Sequence, residues 1–461
     1  MVLRKLINLI LITCLTLTIL LTSCSVEPDE PVIPDQEGIY VGGGEVDISI
    51  PSDDGELAVR LYLPETTRYS EGAPVIIQIQ GGYEEKDLST DFRDNEDMLI
   101  VTFLFHGVES NNGLKSDGTY DYRGEDSAAA LRDVILFASG DLADTNGKLI
   151  SELAGFPVLT NNVGAIGTSN GGNLPVATAA LYGEEIADDL KYVIQWETPV
   201  SSQIACRDLG NIILEPLELT NDPSRGRYFN PRYQGFSEKE VLVDHSDVMY
   251  DENSIYQVFY DGNGDGVYSS VPRDEDGKPD PDLNGDEELS TDEDFPLDYY
   301  PGIDKAYYSR PVTHALLDEG VLTLNNWPSH IATPDEADAY WDIRESVYLY
   351  EEAMDNIPGL EAMFQASQTD HVQSNPYKSH IRMAFEGWLT NGAWIKINPS
   401  AEYLVELDQS LAKYDLPDLA ANTPPVDWSI TKEYTIPEMV NDQTYQIAGI
   451  HEMADRVYYG S

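Results

Sequence analysis

Val163-Gly164-Ala165-Ile166-Gly167-Thr168-Ser169-Asn170-Gly171-Gly172 is the stretch whose reading decides the fold. A short apolar run, Val163 to Ile166, enters a glycine-rich turn, and Leu174 to Leu190 follows with helical spacing. Between the two stands Gly-x-Ser-x-Gly. Its glycines permit a tight, strained turn and a close passage of strand and helix. Such a turn lifts Ser169 above the strand end, where a helix N-terminus favours developing negative charge.

Outward from this point, strand-like and helix-like runs alternate. Val46 to Ile50 and Leu57 to Leu63 read as an antiparallel pair across the turn Ser52-Asp53-Asp54-Gly55. Pro74 to Gln80 (PVIIQIQ) and Leu99 to Phe105 (LIVTFLF) are continuous apolar runs, as in strands buried on both faces. Asp126 to Ala138 has helical spacing, and Tyr192 to Trp196 (YVIQW) is a further buried strand. The alternation stops, then resumes with a helix near Glu336 to Met354, a strand at Leu360 to Ala366, a helix at Pro376 to Leu389 and a strand at Trp394 to Ile397. This order predicts an α/β fold, a doubly wound and mostly parallel sheet interrupted by a long acidic cap insertion. The core would occupy residues 45–200 and 334–461, with the cap at 201–333.

The motif Gly167-Thr168-Ser169-Asn170-Gly171-Gly172 is similar to the nucleophile motif of the esterase and prolyl oligopeptidase branches of the α/β-hydrolase superfamily. The resemblance spans Val46 to Trp196 and Glu336 to the C-terminus. It implies a serine hydrolase that cleaves a carboxylic ester through a Ser-His-Asp triad and an acyl-enzyme, with Ser169 as nucleophile. It further implies oxyanion amides from Gly82 or Tyr83, in the loop after PVIIQIQ, and from Asn170. Asp121-Tyr122-Arg123-Gly124 resembles an arginine-glycine loop of the peptidase branch. Ser367-Gln368-Thr369-Asp370-His371-Val372 looks like the region that carries the family's acid, which points to Asp370, with Glu197 after YVIQW as its rival. The family's base follows the last strand, where only His451 lies; His371 is the alternative, although neighbours on an extended chain point apart. His380 reads as a structural residue within a helix. The resemblance leaves two further readings open, a serine peptidase and a non-catalytic binding lipoprotein on a hydrolase scaffold.

The cap carries two acidic loops. Asp261, Asn263 and Asp265 fall at positions 1, 3 and 5 of a loop with Gly266 at 6 and Ser269 at 9, the spacing of a calcium loop. Position 12 is Pro272, so the closing acid must come from elsewhere, such as Asp274 or Asp276. A second loop places Asp282, Asn284, Asp286 and Glu293 at positions 1, 3, 5 and 12, with Glu287 where Gly is usual. These loops predict structural Ca2+ and no organic cofactor.

At the N-terminus, Arg4 and Lys5 precede an apolar stretch, Leu6 to Leu21, that ends in Leu21-Thr22-Ser23-Cys24. The pattern resembles a bacterial lipoprotein signal over residues 1–23, with Cys24 as the lipidated residue. Residues 24–44 are rich in Pro and acid and read as a disordered tether. An exported protein follows, held to a lipid bilayer by its N-terminal lipid at the outer membrane or cell surface. Of three cysteines only Cys206 remains beyond the signal and the lipid site, so no internal disulfide is expected. The formal charge of −55 argues against nucleic acid or an anionic surface as a ligand and leaves a small ester or peptide as the expected substrate.

Overall fold

The computed structural model describes residues 38–82, 87–92, 97–202, 211–212, 228–229, 245–261, 264–268, 294–297, 299–302, 304–365, 379–398 and 442–460. Its centre is an eight-stranded sheet. In chain order the strands are β1 (Gly44–Ser52), β2 (Gly55–Leu63), β3 (Ala73–Ile79), β4 (Leu99–Phe103), β5 (Val158–Thr168), β6 (Leu190–Trp196), β7 (Glu361–Gln365) and β8 (Ile395–Asn398). Their order across the sheet is β1-β2-β4-β3-β5-β6-β7-β8. β2 runs antiparallel to both its neighbours, and every other pairing is parallel. The sequence expectation of a mostly parallel sheet holds.

Burial follows strand position. All seven residues of the inner strand β3 are buried, whereas only Ile50 of edge strand β1 is, as befits a strand with one open side. Helices cover both faces. The helices α1 (Glu125–Ser139), α2 (Ile150–Ala154) and α3 (Leu174–Ile186) lie within the first part of the core, and α4 (Arg310–Asp318), α5 (Pro334–Asp342), α6 (Tyr350–Asn356), α7 (Ser379–Thr390) and α8 (Asp442–Tyr459) come later. Leu131, Val134, Val176, Ala179, Ala353 and Phe385, from α1, α3, α6 and α7, share one apolar core with the strands. Ile450, Met453 and Ala454 of α8 fill a second core with Ile76, Ile100, Ile166, Ile194 and Met363. The two cores hold opposite strand side chains, because successive residues point to opposite faces.

Helix α8 runs against the strand direction. Near its start the carbonyl of Gln446 accepts from Gln365 Nε2 (3.3 Å) at the C-terminal end of β7; two turns on, the carbonyl of Ala454 accepts from Asn162 Nδ2 (2.9 Å). Lys396 of β8 and Glu452 meet on this face, both buried, with Nζ 3.0 Å from each carboxylate oxygen. Burial outweighs the lysine's charge, and the Glu452 carboxyl is pushed up.

The cap contains small antiparallel pairings, Val248–Tyr250 with Val258–Tyr260 and Tyr299–Pro301 with Ala306–Tyr308. Val248, Val258, Leu297, Tyr308 and Leu316 form its own small core. Helix α5 packs Tyr340 against Tyr307 (ring centroids 4.0 Å) and Trp341 against Tyr300 (4.5 Å). The cap's packing thus continues past residue 333 through α5. No helix among the described residues is long and apolar enough to cross a membrane.

Candidate active site

Ser169 sits where β5 ends and a 3-10 turn, Ser169–Asn173, leads into α3. Its φ is +50°, a left-handed conformation that a non-glycine residue adopts only when its surroundings force it. The glycines explain how the chain tolerates this. A Cβ on Gly167 would stand 2.3 Å from the Gly171 carbonyl oxygen, and one on Gly171 would stand 2.4 Å from that of Gln80. The turn closes only because both side chains are absent. This strained strand-turn-helix corner has the geometry of a nucleophile elbow, at the C-terminal ends of the parallel strands, in a sheet of matching order. The fold is of α/β-hydrolase type.

The loop after β3 abuts this elbow: the Cβ position at Gly81 lies 3.1 Å from Ser169 Cβ. Gly82 has φ +80°, and Arg123 anchors its carbonyl (Nε, 2.9 Å) together with that of Gln80 (Nη2, 2.7 Å). The structure therefore brings together Ser169, Asn170 and Gly82, three of the residues singled out from the sequence. Tyr83, the other oxyanion candidate, lies outside the described residues, as do Asp370 and His371.

His451 is elsewhere, and here the sequence assignment needs correction. Its Nε2 is 2.9 Å from Asp97 Oδ1, in a cluster where Arg68 also reaches Asp97 (2.8 Å) and Asp455 (2.7 Å). Burial pushes the Asp97 carboxyl up, but the hydrogen bond and charge of His451, with the charge of Arg68, outweigh it and hold Asp97 below its ordinary value. Asp97 precedes β4, level with the start of β3, because Leu99 pairs with Val75. Ser169 follows β5 beyond the far end of β3, because Gly167 pairs with Ile79. The length of β3 separates them, roughly 20 Å at 3.3 Å per residue. His451 follows the last strand in sequence, but α8 runs back along the strands and carries it to the opposite end of the sheet from Ser169.

Other described histidine side chains are also engaged by partners other than Ser169. His106 meets Ser52 Oγ (3.1 Å) and the Asp117 carbonyl (3.0 Å), His314 meets Asp338 (3.0 Å), and His330 meets Gln257 (2.8 Å). His380, buried on α7, accepts from the Val200 amide (3.1 Å). Glu197, the rival acid, follows β6 with φ +48°, next to Trp196, which pairs with Thr168. Two strained non-glycine residues thus end adjacent strands.

Several residues near the site gave no signal in the sequence. Ser346 donates its amide to Asn173 Oδ1 (3.2 Å), while Asn173 Nδ2 donates to the Pro199 carbonyl (2.8 Å). Next to it, buried Glu345 accepts from the Ser202 amide (2.6 Å), with Arg310 Nε 3.8 Å away. Burial pushes the Glu345 carboxyl up to about 7. Arg344 and Trp341 line a cavity beside Asn170.

In the cap, Asp261 and Asp265 are brought within 4.8 Å of one another, measured between carboxylate oxygens, together with Asp294. The Asp265 and Gly266 amides donate to Asp261 (3.1 and 2.9 Å), and Gly264 and Gly266 take φ +72° and +76°. The sequence reading did not name Asp294, which lies beyond the reach of a twelve-residue loop that starts at Asp261. Asn263, Asp282, Asn284, Asp286 and Glu293 lie outside the described residues, as does Cys24.

No family model and no curated protein matches the chain. Among solved structures it is similar to a hyperthermophilic esterase from the archaeon Pyrobaculum calidifontis, at 12% identity and TM-score 0.34, covering 83% of this chain and 85% of that one. It is similar also to esterase Est22 (10%, TM-score 0.38, covering 81% and 78%) and to an esterase from Rhizomucor miehei (9%, TM-score 0.35, covering 84% and 87%). Likeness at these TM-scores does not carry the fold, which rests on the strand order and the elbow.

Proposed function

We propose that this protein is an extracytoplasmic serine hydrolase that cleaves a carboxylic ester through an acyl-enzyme formed on Ser169. One observation carries the reading: a non-glycine serine held at φ +50° at the end of a central parallel strand, against the glycine loop that follows β3. Strain of this kind is retained where the surrounding structure over-determines it, and it clusters at reactive sites. Ser169 Oγ attacks the ester carbonyl, and the amides of Gly82 and Asn170 stabilise the oxyanion. The base falls to His371, which follows β7 in the chain. β7 ends beside β6 at the same end of the sheet as Ser169, since Gln365 pairs with Trp196. With His371 as base, Glu197 is the acid we favour, since it follows β6 beside the end of β7, its amide donating to the Gln365 carbonyl (2.8 Å).

The reaction is tested with p-nitrophenyl esters and with a fluorophosphonate label. Ser169→Ala is expected to lower kcat/KM at least 10³-fold and to abolish labelling with the fold intact. An unlabelled wild type would favour the second reading, a binding lipoprotein on a hydrolase scaffold; what supports that reading is the engagement of His451 by Asp97. Hydrolysis of peptides in preference to esters would favour a peptidase.

The reading includes structural calcium in the cap. Three acids with converging oxygens suit a hard divalent cation, and Asp261, Asp265 and Asp294 would hold it. Calcium binding and a raised melting temperature, both lost in Asp294→Asn, are expected in titration; an unchanged variant refutes the site. A lipid on Cys24 would tether the protein to the membrane, and Cys24→Ser should move it to the soluble fraction.

A further inference from the structure

The cavity beside Asn170 has a volume of about 30 Å3 and is lined by Tyr122, Arg123, Asn170, Asn173, Trp341 and Arg344. One water needs about 10–15 Å3 on this measure, so the space suits a group of carboxylate size rather than a long acyl chain. Arg344 donates Nε to the Tyr122 carbonyl (3.0 Å), Nη1 to that of Tyr340 (2.9 Å) and Nη2 to that of Asp121 (2.7 Å). It lies over the Tyr340 ring at 3.7 Å. Carbonyl bonds orient a guanidinium without neutralising it, and they use three of its five N–H groups.

The contrast with the other arginines is informative. Arg60, Arg68, Arg132, Arg310 and Arg456 each pair with carboxylates. In a chain with 82 acidic residues, Arg344 has no carboxylate within ion-pair distance among the described residues. The acid closest in sequence to this loop, Asp121, spends its carboxylate on the amides of Gly124 (3.0 Å) and Asp126 (2.8 Å) and on the Ser127 hydroxyl. The loop itself is strained: Tyr122 and Arg123 take φ +54° and +64° in succession, and Arg344 pins the two carbonyls at its start. Consecutive left-handed residues that are not glycine persist at ligand clamps. A charge held in place beside the oxyanion donor Asn170, whose neighbouring carboxylate Asp121 stays outside ion-pair distance and is committed to backbone amides, can take a second carboxylate from the substrate.

We propose that this cavity receives a carboxylate of the substrate, so that the enzyme prefers esters bearing a free carboxylate within a few bonds of the scissile carbonyl. The proposal rests on the assignment of Ser169 as an esterase nucleophile. Arg344 supplies the charge, Arg123 the second guanidinium on the wall, and Tyr122 and Trp341 the flat apolar sides. The preference arises locally, against the repulsion that a chain of charge −55 exerts on any anion.

The test compares kcat/KM on an anionic and a neutral ester of like length, p-nitrophenyl hemisuccinate against p-nitrophenyl valerate on the acyl side, and 4-acetoxybenzoate against 4-acetoxytoluene on the alcohol side. At low salt the wild type should favour the anionic member of at least one pair by fivefold or more. Arg344→Gln should reduce that ratio at least tenfold, and Arg344→Lys should retain part of it. Melting temperatures establish that both variants are folded. Parity or reversal in both wild-type pairs, or an unchanged ratio in folded Arg344→Gln, overturns the anion site and leaves the esterase reading standing. If no ester is turned over, the esterase reading fails by itself. Calorimetric binding of monomethyl succinate to Ser169→Ala protein then decides the anion site: it should bind, and lose at least tenfold in affinity with Arg344→Gln added. No binding refutes it.

Discussion

The two ends of the central sheet are built from different interactions. At the N-terminal ends of the strands, Arg68, Asp97, His451 and Asp455 form a network of ion pairs at 2.7 to 2.9 Å, and Tyr69 stacks on Tyr458 at 3.7 Å. No described non-glycine residue there has a positive φ. At the C-terminal ends, Tyr122, Arg123, Ser169 and Glu197 all have positive φ, and Arg123 and Arg344 donate to backbone carbonyls. The first end fastens helix α8 to the sheet with paired charges. The second holds polar groups in sparsely populated conformations of the kind that cluster at reactive and ligand-binding sites.

The contrast is tested most severely at the α8 face. Removing one partner of a buried pair strands the other charge, so Lys396→Met should destabilise the protein by about 3–5 kcal/mol in denaturant unfolding. Ester hydrolysis by the fraction that remains folded should change little. A loss below about 1 kcal/mol would mean that α8 is held by its apolar face alone.

Glu345 sharpens the comparison from the other end. Its folded value, up to about 7, lies above the ordinary carboxyl value because burial disfavours the anion, while the Ser202 amide and Arg310 favour it and Asp342 opposes. The folded protein therefore holds a proton that the unfolded chain releases. Stability from this group is complete below the ordinary carboxyl value and is lost as pH rises through about 7. Glu345→Gln should gain on wild type by about 3 kcal/mol at most between pH 5 and pH 8, at 1.36 kcal/mol per unit. Parallel pH profiles for the two proteins would show that Glu345 is solvated.

Much of this architecture was legible in the residue order. The parallel sheet announces itself through PVIIQIQ, LIVTFLF and YVIQW, because strands buried on both faces must be apolar throughout. The elbow was legible because close approach at Gly167 and Gly171 admits no side chain. What escaped was set by tertiary direction. His451 follows the last strand in sequence, yet α8 returns along the sheet and delivers it to Asp97. Asp294 reaches Asp261 only through the folding of the cap, and Arg344 meets the Asp121 and Tyr122 carbonyls across more than two hundred residues of chain. Local patterns report local geometry; pairings between distant segments leave no such trace.

The His451 assignment can be broken directly. Asn in its place removes a hydrogen bond to a carboxylate, so His451→Asn should destabilise by about 1.5–3 kcal/mol and lower kcat/KM by less than about threefold. A loss of 10³-fold in a stably folded variant would restore His451 as the base and imply a rearrangement of α8.

The smallest effect reports on the strain itself. A non-glycine residue in the left-handed region carries a penalty of about 1–2 kcal/mol, which glycine relieves. Glycine also gives the unfolded chain more freedom, which offsets part of that gain. Ser169→Gly should therefore be more stable than Ser169→Ala by about 1 kcal/mol, both being inactive. At Ser139, in the last turn of α1, the same exchange should favour alanine instead, since helical backbone penalises glycine. Opposite signs at the two serines would place the stored strain at the elbow, whereas equal signs would mean that the turn at Ser169 relaxes freely and that its φ carries no functional meaning.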